Sequence, residues 1–280
     1  MIKDILLPLV SYPKAAPSEV IRSAAGLAGH LGATLTAVVL EIEVGPGLYF
    51  EGAEIGAFLD RENAKSRKNA QDLAQTFRSI AESAGISHEC RVEKSVYVDA
   101  GARVVEEARV KDLCVVPVHE DNDGDRDLVE RLVFAGGAPA LVAPSGARKA
   151  ERATFDRVAI AWDSSRPAAR AVADALPLLQ RAAKVRVFSV ENDKKFETFR
   201  TGVDLAKHLS RHGIDVEIDA IEKGRDQSIG QAFKSYVSKH KIDLLVMGAY
   251  GHSRMREFVL GGATLSVLTD PPCWTLLSHG

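Results

Sequence analysis

The 280-residue chain repeats one pattern twice, and this repeat limits the fold more than any other feature of the sequence. An apolar run preceded by charged residues occupies residues 3–10, and a matching run occupies residues 156–163. Each run is followed by serine and then proline. A second apolar run opens with an Asp-Leu pair in each half, at Asp112 and at Asp243. The chain is therefore a tandem repeat with a unit of about 140 residues.

Within each half, apolar runs alternate with segments of helical length. Alanine-rich stretches at 19–31 and 168–183 lead to β-branched runs at 33–41 and 184–191. An amphipathic segment, a Gly-Ile step and a further strand follow at 77–92 and 205–218. Strands that alternate with helices are typical of a parallel sheet covered on both faces. The pattern predicts two tandem, doubly wound α/β domains, at 1–148 and 153–280, with a polar linker at 145–154.

The two halves differ in length. Their first runs are 153 positions apart and their Asp-Leu runs are 131 apart, so the first half holds 22 additional residues. These residues fit the segment 44–66, whose beginning contains glycine and proline. We expect this segment to be a loop or a lid.

Composition excludes several classes of protein. With 46% hydrophobic and 26% charged residues, the chain is of the ordinary globular type. No apolar run approaches the roughly 20 residues that cross a bilayer, and the first run is too short for a signal peptide. The three cysteines, an odd count at wide spacing, predict no disulfide framework, and Cys114 falls in an apolar run where a buried thiol is expected. We therefore expect a cytoplasmic protein with no membrane association.

Charge separates the halves more than the net value of −2 indicates. Residues 1–148 carry 16 Lys and Arg against 22 Asp and Glu, whereas residues 149–280 carry 20 against 16. Neither half is basic enough to predict a nucleic-acid platform. The first half is thus net negative and the second net positive, which indicates that the two halves have different roles.

The candidate site lies where ligands bind in open parallel sheets, beyond the carboxyl ends of the strands. In the second half, Asp163 ends the first strand, where it can hold a ribose hydroxyl or a metal-bound phosphate, or cap the next helix. The fourth strand leads into glycines spaced G-x2-G-x9-G, at Gly248, Gly251 and Gly261. Such glycines let the backbone approach a ligand, although ordinary turns use them too.

A helix start follows the third of these glycines. Its residues are small, Gly262, Ala263 and Thr264, and the exposed amides of a helix start favour phosphate. Arg254 and Arg256 lie between the glycine groups and add positive charge. His252 is placed to contact phosphate or to serve as a weak base.

These residues resemble the universal stress protein family. The strand-end acid, the Met247-Gly248 step and the glycine spacing carry the resemblance, which covers nearly the whole chain as two copies. It implies a Rossmann-like fold of the adenine nucleotide alpha hydrolase-like type, and a site for ATP with or without Mg²⁺. It also implies that Asp163 lies by the ribose or metal, Val190 by the adenine, and the glycines with the residues after them around the phosphates.

The sequence departs from the family pattern in two places. Gly262 stands where the family usually has Ser or Thr, and Thr264 is the nearest hydroxyl. In the first half, Val10 replaces Asp163, no glycine pair matches Gly248 and Gly251, and the strand end is acidic at 120, 121, 123, 125 and 127. Because this charge repels a triphosphate, we expect the first half not to bind ATP.

No constellation for efficient catalysis stands out. His208 and His212 have the spacing of a metal-binding helix pair but lack a third ligand, so solvated helix residues are favoured. His119 and the acids after it are expected to form a solvated loop rather than a cation site. No nucleophile, base and orienting group occur together, so we expect no catalytic residue and no metal site.

The function predicted from these residues and the resemblance is that of a stress-response regulatory protein. ATP binds the second half, and the first half is a non-binding structural partner in an intramolecular pseudo-dimer. Association of two chains into a homodimer stays open. The alternatives are an interaction scaffold that binds no nucleotide, and a slow ATP hydrolase.

Overall fold

The computed structural model describes residues 1–45, 53–118, 123–144, 154–191, 195–222, 224, 227–249 and 262–280. The described chain forms two compact units. One comprises residues 2–116 and 130–138, and the other comprises Met1, 117–129 and 139–280. The predicted domain bounds, 1–148 and 153–280, and the pseudo-dimer stay predictions.

The unit of residues 2–116 and 130–138 is built on parallel strands with helices in the connections. Its strands lie in the order β3-β2-β1-β4, and β1 pairs in parallel with β2 and with β4, as β2 does with β3. The elements are β1 (Asp4–Val10), α1 (Ser18–Leu31), β2 (Thr34–Glu43), α2 (Ala53–Ser83), β3 (His88–Val96), α3 (Tyr97–Ala108) and β4 (Leu113–Pro117). The helix α4 (Asp123–Arg131) and a π-helical turn (Leu132–Gly136) follow.

The second unit repeats the same succession and adds β5 (Ala140–Ala143) from the first half of the chain. Its strands lie in the order β5-β10-β9-β6-β7-β8, parallel except for the antiparallel pair of β5 and β10. Its further elements are β6 (Arg157–Ala161), α5 (Arg166–Leu179), β7 (Lys184–Glu191), α6 (Lys195–Ser210), β8 (Val216–Glu222), α7 (Ile229–His240), β9 (Leu244–Gly248), α8 (Gly262–Thr269) and β10 (Trp274–Ser278). The α/β class and the mostly parallel sheet are confirmed.

The continuous apolar runs form the central strands because both faces of these strands are covered. Ile5, Leu6 and Leu7 of β1 are fully buried, as are Leu244 and Leu245 of β9. Helices on both sides of a parallel sheet leave no face for polar side chains. No helix in the described ranges is both long and apolar enough to cross a membrane.

The repeated Asp-Leu pair has a structural reason. Asp112 Oδ2 accepts hydrogen bonds from the backbone N–H groups of Lys3 (2.7 Å) and Asp4 (3.0 Å), at the start of β1. Asp243 Oδ2 accepts the same kind of bond from Arg157 N (3.0 Å), at the start of β6. Each aspartate thus satisfies donors at the beginning of the neighbouring strand.

Two predicted loops contain helix. The prediction of a loop or lid over 44–66 is wrong from Ala53 onward, because α2 begins there and runs for 31 residues. Apart from Gly56, residues 53–66 are compatible with helix, and the glycine-proline pair that prompted the prediction precedes them. The acidic loop is likewise helical from Asp123, where carboxylates in the first turn are favoured by the helix dipole. Residues 46–52 and 119–122 lie outside the described residues.

Candidate functional site

Four of the described candidate residues of the second half lie at one edge of its sheet: Asp163, Val190, Met247 and Gly248. Strands β7, β6 and β9 are neighbours, and Ala161 at the end of β6 is in register with Phe188 and with Met247. Asp163 and Val190 each lie two residues beyond that row. Because the three strands are parallel, their carboxyl ends share this edge.

The strands β6 and β7 separate at this edge. Trp162 N donates to Phe188 O (2.9 Å), which is the last backbone hydrogen bond between them among the described residues. The hydroxyl of Ser189 then donates a hydrogen bond to Trp162 O (2.8 Å). Ser164, with a left-handed φ of 63°, turns the chain away toward α5.

This separation leaves a backbone donor and acceptor at Val190. Alternate residues of a strand direct their N–H and C=O groups to the same side, so Val190 directs both toward β6, as Phe188 does. The backbone of β6 no longer reaches them, and Val190 itself is half-buried. A planar ligand edge with one donor and one acceptor fits such a pair.

Asp163 supports the turn that starts α5. Its Oδ1 accepts a hydrogen bond from Ser165 N (2.9 Å), and Ser165 caps the helix by accepting from Ala168 N (3.2 Å). Of the two roles expected for Asp163, helix capping is therefore observed in part: Ser165 caps α5, and Asp163 supports Ser165. The Asp163 carboxylate is at the same time exposed beside the separated strands, where a ligand hydroxyl can reach it.

Gly248 is required by packing. A Cβ atom at this position would lie 2.4 Å from Ala168 N and 2.5 Å from Pro167 C, both in the backbone at the start of α5. Contacts this short do not occur, so only glycine lets the helix start approach the end of β9. Gly248 thus sets where α5, Ser165 and Asp163 lie.

The predicted helix start after the third glycine is confirmed. Gly262, Ala263 and Thr264 form the first turn of α8, with Gly262 exposed and Thr264 buried. A Cβ at Gly262 would meet Ile229 Cγ2, at the start of α7, at an ordinary 3.8 Å. Gly251, His252, Arg254, Arg256 and Gly261 lie outside the described residues.

The glycine motif gives no sign of two polar side chains that lie beside Gly248 in the structure. Ser278 on β10 is in register with Gly248, and Trp162 follows Ala161, whose partner is Met247. Ser278 Oγ and Trp162 Nε1 are both buried, and neither has a hydrogen-bond partner within the described part of the chain. A tryptophan directly before the strand-end aspartate was the available signal. Ser278 gave none, because only the register with β9 brings it here.

The first half is organised differently at the same edge. Val10, the counterpart of Asp163, is still inside β1 and is paired with Leu40 of β2. Ser11 continues the pairing, donating its N–H to Leu40 O at 3.1 Å. The strands therefore do not separate where β6 and β7 do.

Among the described residues, no third metal ligand joins His208 and His212. The rings of His208 and His212 are in edge contact, with centroids 4.8 Å apart, but α6 ends at Ser210 and so does not include His212. Within the described ranges, no three His, Cys, Asp or Glu side chains are grouped so that they could hold a metal ion.

A network of charged and hydroxyl groups connects the middle of β7 and β8 with α7. Tyr236 Oη donates to Asp219 Oδ2 (2.5 Å), and Arg186 Nη1 donates to the same oxygen (2.7 Å). Burial raises the pKa of Asp219, but the hydrogen bonds from Tyr236 and Arg186 outweigh it and lower that pKa. Burial, with the hydrogen bond to Asp219, raises the pKa of Tyr236. This network joins β7, β8 and α7, and its role is structural.

Compared with the sequences of known proteins, the second half of this chain matches a known family. Residues 154–279 match the universal stress protein family. A 62-residue stretch is 37% identical to universal stress protein Slr1230 of Synechocystis, covering 22% of this chain and about a fifth (20%) of that relative.

Solved structures extend the likeness to the whole chain. A universal stress protein from Archaeoglobus fulgidus has a TM-score of 0.69 at 17% identity, covering 99% of this chain and 98% of that one. The cytoplasmic domain of a prokaryotic cation chloride cotransporter has a TM-score of 0.53 at 11% identity, covering 99% and 95%. At these identities the likeness shows the fold alone.

Proposed function

We propose that the second half, whose residues 154–279 match the universal stress protein family, binds an adenine nucleotide, ATP foremost, and that the chain is a stress-related regulatory protein. The first half is its non-binding structural partner. Occupancy of the nucleotide site changes which conformation or partner the protein favours.

The separation of β6 and β7 at Val190 is the observation that carries this proposal. The edge of an adenine ring offers an amino donor beside a ring-nitrogen acceptor, which matches the N–H and C=O of Val190. Asp163, exposed at the next strand end, is placed to accept from a ribose hydroxyl. The first turn of α8 supplies backbone N–H groups that favour phosphate, with any Mg²⁺ carried on the phosphates.

The proposed cellular location rests on the free cysteines. Cys90, Cys114 and Cys273 are all free, which is typical of a reducing compartment, and the proposal therefore includes a cytoplasmic location. A homodimer of two chains stays a secondary part of the proposal.

Calorimetric titration with ATP tests the site by comparing the affinity of the wild type with that of a variant that lacks the charge of Asp163. Asp163→Asn keeps an oxygen for Ser165 N but removes the charged acceptor, so ATP affinity should fall about tenfold or more. Asp215→Asn, which removes a charge just before β8 at the opposite edge, is the matched control and should bind like the wild type. Absence of binding to the wild type, or equal affinity in Asp163→Asn, would contradict the proposal.

One observation favours the scaffold alternative. Gly248 is explained by its packing against α5, so part of the glycine pattern persists without any ligand. The hydrolase alternative has no nucleophile, base and orienting group among the described residues to support it. Turnover of labelled ATP distinguishes the proposed binding protein from a hydrolase, because a binding protein retains the nucleotide and a hydrolase releases ADP continuously.

A further inference from the structure

The helix α2 is almost twice as long as its counterpart in the second half. It has 31 residues, whereas α6 has 16, and a Gly-Ile step follows both helices, at Gly85 and at Gly213. The additional turns are therefore at the N-terminal end of α2. We call residues 53–66 the α2 extension; at 1.5 Å per residue it is about 21 Å long.

The C-terminal end of the extension is hydrogen-bonded to the end of β1. The hydroxyls of Ser66 and Ser11 are 2.7 Å apart, and both residues are fully buried. Ser11 Oγ also accepts from Ile42 N (3.1 Å), and Asn69 Nδ2, one turn further along α2, donates to Ser11 O (2.9 Å). The polar groups that follow β1 are thus satisfied by β2 and α2.

One turn earlier, Asn63 binds the backbone that follows β2. Its Oδ1 accepts from Val44 N (2.7 Å), and its Nδ2 donates to Val44 O (3.2 Å). A single carboxamide thus supplies one acceptor and one donor to one residue. The edge of an adenine ring has the same pair of functions. In the proposed site of the second half, that edge pairs with the N–H and C=O of Val190.

We propose that the α2 extension is a built-in occupant of the strand ends of the first half. Asn63 takes the backbone N–H and C=O of Val44, and Ser11, whose hydroxyl is hydrogen-bonded to Ser66, takes the N–H of Ile42. The continued pairing of Val10 with Leu40 closes the gap between the strands. The first half therefore keeps one closed conformation whether or not nucleotide is present. In comparing the two edges, the inference rests on the proposed nucleotide site.

Amide hydrogen exchange of the full chain, measured by NMR, tests this arrangement. The N–H groups of Ile42 and Val44 should be protected in the wild type, because Ser11 and Asn63 accept from them. Asn63→Ala should accelerate exchange at Val44 about tenfold, and Ser66→Ala should accelerate it at Ile42. Lys68→Ala, an exposed position on the same helix, is the control and should change neither.

Thermal melting separates the local effect from unfolding. Ser66→Ala introduces a good helix former, so it serves as the test if Asn63→Ala lowers the melting temperature of the whole protein. Equal exchange at Val44 in the wild type and Asn63→Ala, or at Ile42 in the wild type and Ser66→Ala, would overturn the proposal.

Addition of ATP distinguishes this inference from the proposed function. ATP should leave exchange at Ile42 and Val44 unchanged, and slowed exchange there would show that the first half binds nucleotide and overturn the inference. If exchange at Val190 also fails to respond to ATP while the Asn63 and Ser66 effects are present, the nucleotide site is refuted and the occupied edge of the first half is supported.

Discussion

Gly248→Ala tests whether the first glycine of the motif is required by the fold. The added Cβ would lie 2.4 Å from Ala168 N, 2.5 Å from Pro167 C and 2.8 Å from Pro167 Cβ. Two of these atoms are backbone, so no side-chain rotation relieves the contact and the start of α5 must move. Overpacking of this kind costs about 1–3 kcal/mol, and the backbone contacts place Gly248→Ala near 3 kcal/mol.

Differential scanning fluorimetry measures the consequence. At roughly 2–4 °C per kcal/mol, the melting temperature of Gly248→Ala should fall by about 6–12 °C. Gly262→Ala is the matched control, since among the described residues its Cβ meets only Ile229 Cγ2, at 3.8 Å, and its melting temperature should change little. A melting temperature of Gly248→Ala within about 2 °C of the wild type would refute the packing argument.

Three further predictions address the phosphate contact, the buried network and the thiols. Gly262→Ser, whose Cβ meets only Ile229 Cγ2 among the described residues, should place a hydroxyl at the first turn of α8 and tighten ATP binding about threefold to tenfold by calorimetry. Unchanged affinity would contradict a phosphate contact there. Tyr236→Phe should lower the free energy of unfolding by about 1–2 kcal/mol at pH 7. The pKa of Asp219 is lowered from its ordinary 3.8, so the stability lost in Tyr236→Phe is greatest above pH 3.8 and becomes smaller as pH falls through the folded pKa. If the urea midpoints of the variant and the wild type differ equally at pH 7 and pH 3, the prediction is contradicted. Burial raises the pKa of Cys114 to about 12, so maleimide mapping at pH 8 should find Cys114 modified only after unfolding, and rapid labelling of the folded protein would be inconsistent with its burial.

The sheet could be predicted because its signals are local. A strand covered on both faces must be apolar along its length, and the runs at β1 and β9 have this property. The repeat doubled each signal, so the Asp-Leu pairs could be matched before their hydrogen bonds to the neighbouring strand were known. The antiparallel pair of β5 and β10 could not be predicted, because neither strand's own sequence records which strand lies beside it.

The features that were missed depend on contacts far apart in the chain. The α2 extension is held by hydrogen bonds from Ser66 to Ser11 and from Asn63 to Val44, and a local glycine-proline pattern gives no sign of them. The packing reason for Gly248 requires the position of α5, which is 80 residues earlier in the chain. A glycine that admits a ligand and a glycine that admits a helix are identical in sequence, so only the structure distinguishes them.

Native mass spectrometry of the intact chain with ATP tests most directly the claim that the two halves have divided roles. The separated strands at Val190 and the occupied edge beside Asn63 together predict one nucleotide per chain, with strongly reduced occupancy in Asp163→Asn. Two nucleotides per chain would contradict the closed first half, and none would contradict the nucleotide site of the second.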